Sequence, residues 1–166
     1  MRPVARVALA LVALAVALVP TSGATARPAQ GEATIVRTAQ AAGSFKTLLA
    51  LATKAGLADD LSTGELTLLA PTDAAFRKVP RSTLRAVQKD IRLLRRVLLY
   101  HVIAGKVPSS TVVTLRSAQT LAGPTVKIRV AGRRVFVNRA RVTKVDVAAS
   151  NGVIHVIDRV LIPPAR

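Results

Sequence analysis

His101 and His155 are the two histidines in 166 residues. Near neutral pH an imidazole can serve as general base, proton shuttle or metal ligand. Each role needs partners at set spacing. The chain has no His-Glu-x-x-His pair, no Gly-x-Ser-x-Gly elbow and no cysteine, so neither a zinc site nor a hydrolase has its parts in a local motif. A hydrolase would need a serine activated beside His101 or His155. A buried imidazole, satisfied by a backbone carbonyl or a nearby hydroxyl, is the favoured expectation for His101. No catalytic residue, metal or cofactor is expected.

The remaining polar candidates read as structural. Thr72 or Asp73 can accept hydrogen bonds from the open N–H groups of a turn leading to Phe76, which anchors that turn in the core. Tyr100 and His101 stand where a helix hands over to a strand, so their side chains point to opposite faces and one of them should be buried. Asn151-Gly152 reads as a tight turn into a final strand.

Cations form the other chemical pattern. Arg85, Lys89, Arg92 and Arg96 recur at steps of three and four, along the outward face of a helical stretch. Lys127, Arg129, Arg139 and Arg141 stand at alternate positions among apolar residues. A solvated face is the common meaning of such runs, and a surface for anionic polymers is the functional one. The chain carries 25 Lys and Arg against 8 Asp and Glu. With Phe45, Phe76, Phe136, Tyr100 and no Trp, it lacks the stacking platforms on which single-stranded nucleic acid binding relies. Sequence-specific nucleic acid recognition is not expected.

The elements that position these residues follow from periodicity. Ile35, Ala39 and Ala42 share one helical face. Ser44 is a candidate N-cap for a second helix carrying Phe45, Leu48, Leu49 and Ala52, which Gly56 ends. Asp60 to Gly64 reads as a turn, and Leu66 to Leu69 as a short strand stopped by Pro71. Ser82 to Leu99 is amphipathic, with a break near Lys89-Asp90 and a buried stripe of Leu84, Val87, Ile91, Leu94 and Leu98. Beyond Tyr100 the period becomes two. Val126, Ile128 and Val130 form one strand, Ala131 to Arg134 a turn and Val135 to Val137 the return, while Gly152 to Ile157 and Val160 to Ile162 read as a last strand pair. Helices first and strands afterwards predict one α+β domain.

The first residues predict export. Arg2 and Arg6 flank a basic start, Val7 to Val19 is an unbroken apolar run, and Ala24 and Ala26 offer small residues for cleavage. At ~1.5 Å per residue that run covers ~20 Å, too short for a ~30 Å hydrocarbon core. Residues 1–26 are thus expected to be a signal peptide, 27–32 a flexible leader and 33–164 the domain. Two of the cations lie in the signal, which leaves a net charge of +15 on the exported part.

Three segments together resemble the fasciclin domain family. Leu68-Leu69-Ala70-Pro71-Thr72-Asp73-Ala74-Ala75-Phe76 is similar to its first block, and Leu98 to Val107, with Tyr100-His101, to its central block. Asn151-Gly152-Val153-Ile154-His155-Val156-Ile157-Asp158 through Pro163 is similar to its closing block. The resemblance implies a wedge of β-strands wrapped by helices, with adhesion or extracellular recognition as the role and no catalysis. The short Ala- and Val-rich signal reads as bacterial, which argues against an integrin as native partner and leaves an extracellular protein or anionic polymer. The location implied is extracellular, wall-associated or periplasmic.

Signal cleavage is expected after Ala26. Mass spectrometry of the secreted protein should find Arg27 at its N-terminus, whereas recovery of only the uncut chain in membranes would identify the apolar run as an anchor.

Overall fold

The computed structural model describes residues 33–164. The expected signal peptide and leader lie outside the described residues. Helices α1 (Ile35–Ala42) and α2 (Lys46–Lys54) come first, and a 3-10 turn at Asp60–Ser62 leads into strand β1 (Leu66–Pro71). Three helices follow, α3 (Asp73–Arg77), α4 (Arg81–Lys89) and α5 (Ile91–Leu99), then β2 (Val102–Ala104) and the short α6 (Ser109–Val112). The chain closes with β3 (Ser117–Gln119), β4 (Thr125–Ala131), β5 (Arg134–Val137), β6 (Ala140–Ala149) and β7 (Gly152–Ile157).

All seven strands form one sheet in the order β2-β1-β7-β6-β5-β4-β3. Its two edges meet. Ile103 bridges Thr120, and the Leu121 N–H donates to the Val102 carbonyl at 2.9 Å, so the sheet curls nearly into a barrel. The curl defines two cores. The outer one lies between the helices and the sheet and includes Ile35, Leu48, Leu68, Phe76, Leu94 and Ile154. The inner one lies within the curl and includes Leu69, Tyr100, Val126, Ile128, Val137 and Ile157. The α+β architecture expected from the sequence is the one observed, with strands wrapped by helices.

β1 and β7 pair in parallel, Leu66 opposite Gly152 through Pro71 opposite Ile157, and every residue of both is buried. Alternation explains their composition. Leu66, Leu68 and Ala70 face the outer core while Leu69 faces the inner one, so a strand buried on both sides is apolar throughout. Thr67 is the polar exception in β1, as His155 is in β7. Its hydroxyl donates to the Gly105 carbonyl at 2.7 Å and accepts the Val107 N–H at 2.8 Å, which ties β1 to the loop after β2.

Helix boundaries follow local chemistry. Gly56 ends α2 with φ +66°, its N–H reaching Thr53 while that of Leu57 reaches Ala52. Asp90 separates α4 from α5, because its extended backbone (φ −102°, ψ 106°) leaves the helical region and its carboxylate accepts the Arg92 and Leu93 N–H groups. The expected break is real, and it divides the basic stripe between two helices. It also resets the buried stripe, which in α5 is Leu94, Val97 and Leu98, with Ile91 at the helix start 45% exposed.

Other expectations are corrected. Ala42 is exposed at the end of α1. Val130 is 44% exposed because the β4–β5 hairpin runs past the core, with residues 129–134 all exposed. Val160 to Ile162 is not a strand, since the Leu161 N–H pairs with the His101 ring instead of a neighbouring strand. Arg139 lies in the β5–β6 turn rather than in a strand.

Gly152 is dictated by a close approach: a Cβ there would lie 1.8 Å from the Leu66 carbonyl oxygen. Gly152→Ala must therefore push β7 away from β1. The expected loss is about 3 kcal/mol or more in the free energy of unfolding, read from the urea midpoint of the purified chain, and an unchanged midpoint would show that the strand pair yields freely.

Candidate functional site

The polar residues of the family-like blocks serve the backbone. Thr72 caps α3, its hydroxyl accepting the Ala75 N–H at 3.2 Å. Asp73 reaches across to α2, whose Thr47 and Lys46 N–H groups donate to its carboxylate at 2.8 and 3.4 Å. Ser44 therefore does not cap α2, and its hydroxyl turns back to the Ala42 carbonyl. Burial alone would push the Asp73 carboxyl up, but hydrogen bonds from Thr47 and Lys46 and the Lys46 charge hold it below its ordinary value. Phe76 is buried in the outer core.

Asn151 does more than turn the chain. Its side-chain oxygen accepts the Ile35 N–H at 2.8 Å, its amide donates to the Leu61 carbonyl at 3.0 Å, and its own carbonyl accepts the Leu66 N–H at 3.0 Å. One side chain thus joins the start of α1 to the loop before β1. Asp158 accepts the Arg141 N–H at 2.8 Å and pairs with Lys78 at 3.6 Å.

Tyr100 and His101 are both buried, against the expectation that one would be. The nearly closed sheet has an interior of its own, so opposite faces here mean two cores. The Tyr100 hydroxyl donates to the Thr125 carbonyl at 3.2 Å and accepts from the Asn138 amide at 3.1 Å. His101 Nδ1 lies 2.7 Å from the Val97 carbonyl, and its Nε2 accepts the Leu161 N–H at 2.9 Å. The ring is held neutral, with its proton on Nδ1. Burial lowers its pKa to about 4 against the opposing pull of the Val97 carbonyl.

The His155 ring is also bonded through both nitrogens to backbone groups. Its Nε2 lies 2.9 Å from the Val107 carbonyl, and its Nδ1 accepts the Asp146 N–H at 3.4 Å. Asp146 has φ +54° where β6 shifts register, and its carboxylate accepts the N–H and hydroxyl of Ser109 at the start of α6. The Ser109 hydroxyl bond leads in lowering the Asp146 carboxyl below its ordinary value. Both histidines thus have both ring nitrogens engaged by backbone groups. Among the described residues, no three His, Asp or Glu side chains gather as metal ligands.

Concave surface lies elsewhere. One groove of about 540 Å³ is lined by Lys78, Arg139 and Arg159 with Val79, Leu161 and Ile162. A second, of about 670 Å³, is lined by Arg116, Lys127, Arg129 and Arg139 with Ile128 and Asn138. Asn138 and Arg139 border both. Among the described residues no carboxylate lines either groove, and Arg129 lies 5.0 Å above the Phe136 ring. Asn138 holds the shared wall in place. At φ +55° it accepts the Lys127 N–H at 2.8 Å and donates to Tyr100, fixing the β5–β6 turn to β4 and to the inner core.

The structure gathers Lys127, Arg129 and Arg139 of the expected basic set. Arg141 lies next along β6 and lines neither groove, and Arg85, Lys89, Arg92 and Arg96 sit on α4 and α5. Lys78, Arg116, Arg159 and Asn138 were not singled out by spacing. Asn138 alone carried a sequence signal, as an Asn between two short strands, where a left-handed turn is common.

His101 yields a signed pH dependence. Its folded pKa of about 4 lies below the ordinary 6.5, so the unfolded chain binds the extra proton, and stability falls as pH drops from about 6.5 towards 4. Asp73 and Asp146, lowered from 3.8, act only below that window. The loss across the window should be on the order of 3 kcal/mol. His101→Ala should be destabilised by roughly 2 kcal/mol at neutral pH and lack this slope. Denaturation at a series of pH values checks both, and a variant retaining the wild-type slope would refute the assignment.

The family model of the fasciclin domain matches residues 43–163. Protein sll1483 of Synechocystis is 41% identical over 136 residues, 79% of this chain and 74% of that protein. Immunogenic protein MPB70 of Mycobacterium bovis is 40% identical over 66% of this chain. The cell surface glycolipoprotein MPB83 of the same species is 39% identical, also over 66% of this chain. The chain spans about half the length of these mycobacterial relatives, 55% and 49%. Among solved structures, a FAS1 domain pair from the insect cell adhesion molecule Fasciclin I superposes with a TM-score of 0.59 at 23% identity, over 74% of this chain and 47% of that one. That likeness is one of fold. The matched span takes in all three blocks whose polar side chains hold the strands and helices together, and the chain belongs to the fasciclin domain family.

Proposed function

We propose that this chain is an exported, non-catalytic binding module that acts in adhesion or recognition outside the cell. The observation that carries this is the engagement of both imidazoles by backbone groups, Val97 and Leu161 for His101, Val107 and Asp146 for His155. A general base needs a ring nitrogen free to meet substrate. Thr72, Asp73, Asn151 and Asp158 are likewise spent on capping and cross-linking. The basic, apolar start of the chain supports export, and the cell-surface description of the MPB83 relative agrees with it. No helix among the described residues is long and apolar enough to cross a membrane.

Charge favours an anionic partner. Four aspartates, Asp73, Asp90, Asp146 and Asp158, accept backbone N–H groups, and Lys78–Asp158 is the one ion pair among the described residues. Cations on both the helix faces and the strands are left to attract polyanions.

Expressing the full chain in a bacterial host and fractionating at low and high salt tests the proposal. The processed protein should appear in the medium or the wall fraction, and salt should release the wall-bound part. His101→Ala and His155→Ala should lower thermal stability without removing a hydrolytic activity. Retention in the cytoplasm, or an esterase activity lost in His155→Ala at unchanged thermal midpoint, would overturn it.

A further inference from the structure

The two grooves meet at a shared wall, and that wall is cationic. Lys78, whose ammonium pairs with Asp158, and Arg159 lie on one side of Arg139, and Arg116, Lys127 and Arg129 on the other. We infer that this continuous path across the β5–β6 turn is a binding site for an acidic polysaccharide, with Arg139 as its central contact. The inference rests on the extracellular binding role proposed above and names the partner's chemistry.

Three features favour such a polymer. Among the described residues no carboxylate lines either groove, so the guanidinium groups there are free to donate forked hydrogen bonds to the carboxylates of anionic sugars. Beside the cations lie Val79, Pro80 and Ile162, the last 54% exposed, which offer apolar surface to the C–H faces of sugar rings. A small anion would fill one groove; two grooves sharing a wall suit a chain with repeating charge. Single-stranded nucleic acid fits less well, because the ring beside the path, Phe136, is half-buried and lies beneath Arg129 at 5.0 Å.

The wall is also built rigidly. Asn138 is tied to Lys127 and Tyr100, so the turn carrying Arg139 is anchored in the inner core before any ligand arrives. A preorganised contact loses less freedom on binding.

Two charge-matched variants test the inference. Arg116, Lys127, Arg139 and Arg159 are all exposed, and their replacement by Gln should leave the thermal midpoint unchanged. The second variant replaces Arg85, Lys89, Arg92 and Arg96 by Gln and removes the same charge from α4 and α5. Binding of the purified chain to polygalacturonate, neutral dextran and poly(dT) is measured at one ionic strength. The wild type should bind polygalacturonate and not dextran. The groove variant should bind it roughly tenfold more weakly or worse, and the helix variant no more than about twofold. Arg139→Gln alone should show the largest effect of any single change and serves if the quadruple variant does not fold. Equal losses in the two quadruple variants, or poly(dT) bound as tightly as polygalacturonate, would overturn the site. Correct export with no glycan binding would refute this path alone, whereas failed export with glycan binding intact would refute only the extracellular role.

Discussion

Parallel strands β1 and β7 are buried along their whole length on both faces, and both cores are built on them. Their side chains alternate between the helix-covered face and the interior of the curled sheet, so neither core exists without the pair. The pairing requires that Gly152 approach the Leu66 carbonyl more closely than any residue with a Cβ could. It also requires that Asn151, one position earlier, satisfy the N–H of Ile35 and the carbonyl of Leu61. Strands of such composition would pair in many registers. The small residue and the forked amide select one, since a slip of a single position would bring a Cβ against the carbonyl and leave buried polar groups unpaired.

Polar groups inside the fold follow one rule: each is spent on backbone that the regular elements leave over. Thr67 serves the loop after β2, His101 the last turn of α5 and the unpaired tail, His155 the bulge in β6 and the loop before α6. No buried side-chain polar atom among the described residues lacks a partner. Asp73, Asp90 and Asp146 obey the same rule at the surface, capping α2, α5 and α6. In a chain this basic, using scarce carboxylates as caps leaves most cations among the described residues without an ion-pair partner, and this joins the demands of folding to the charge of the surface.

The core and the candidate binding surface are connected through Tyr100. Its ring fills the inner core, its hydroxyl reaches Thr125 and Asn138, and Asn138 holds the turn that carries Arg139. A residue of the central family block therefore positions a wall of two grooves without touching what they would hold.

Element type and the three family-like blocks were legible in the sequence because they rest on local rules: periodicity, capping residues, Gly after a helix, Pro after a strand. The break at Asp90 was legible for the same reason. What the residues of those blocks bond to was not. Asp73 was readable as a cap, but its helix, α2, lies 26 residues away in sequence from the carboxylate that caps it. The burial of both Tyr100 and His101 needed a second core, which exists only because Ile103 meets Thr120 and the sheet curls on itself. The basic stripe showed the same limit, for spacing names the cations on one element but not those that several loops bring together. Arg139 joins Arg159 in one groove and Arg116 in the other through the fold alone. By itself the sequence determined most of the elements, the charge and the family, because those depend on near neighbours; the second core, the partners of the polar residues and the two grooves were decided by tertiary structure, because each is made of residues that meet only when distant strands pair.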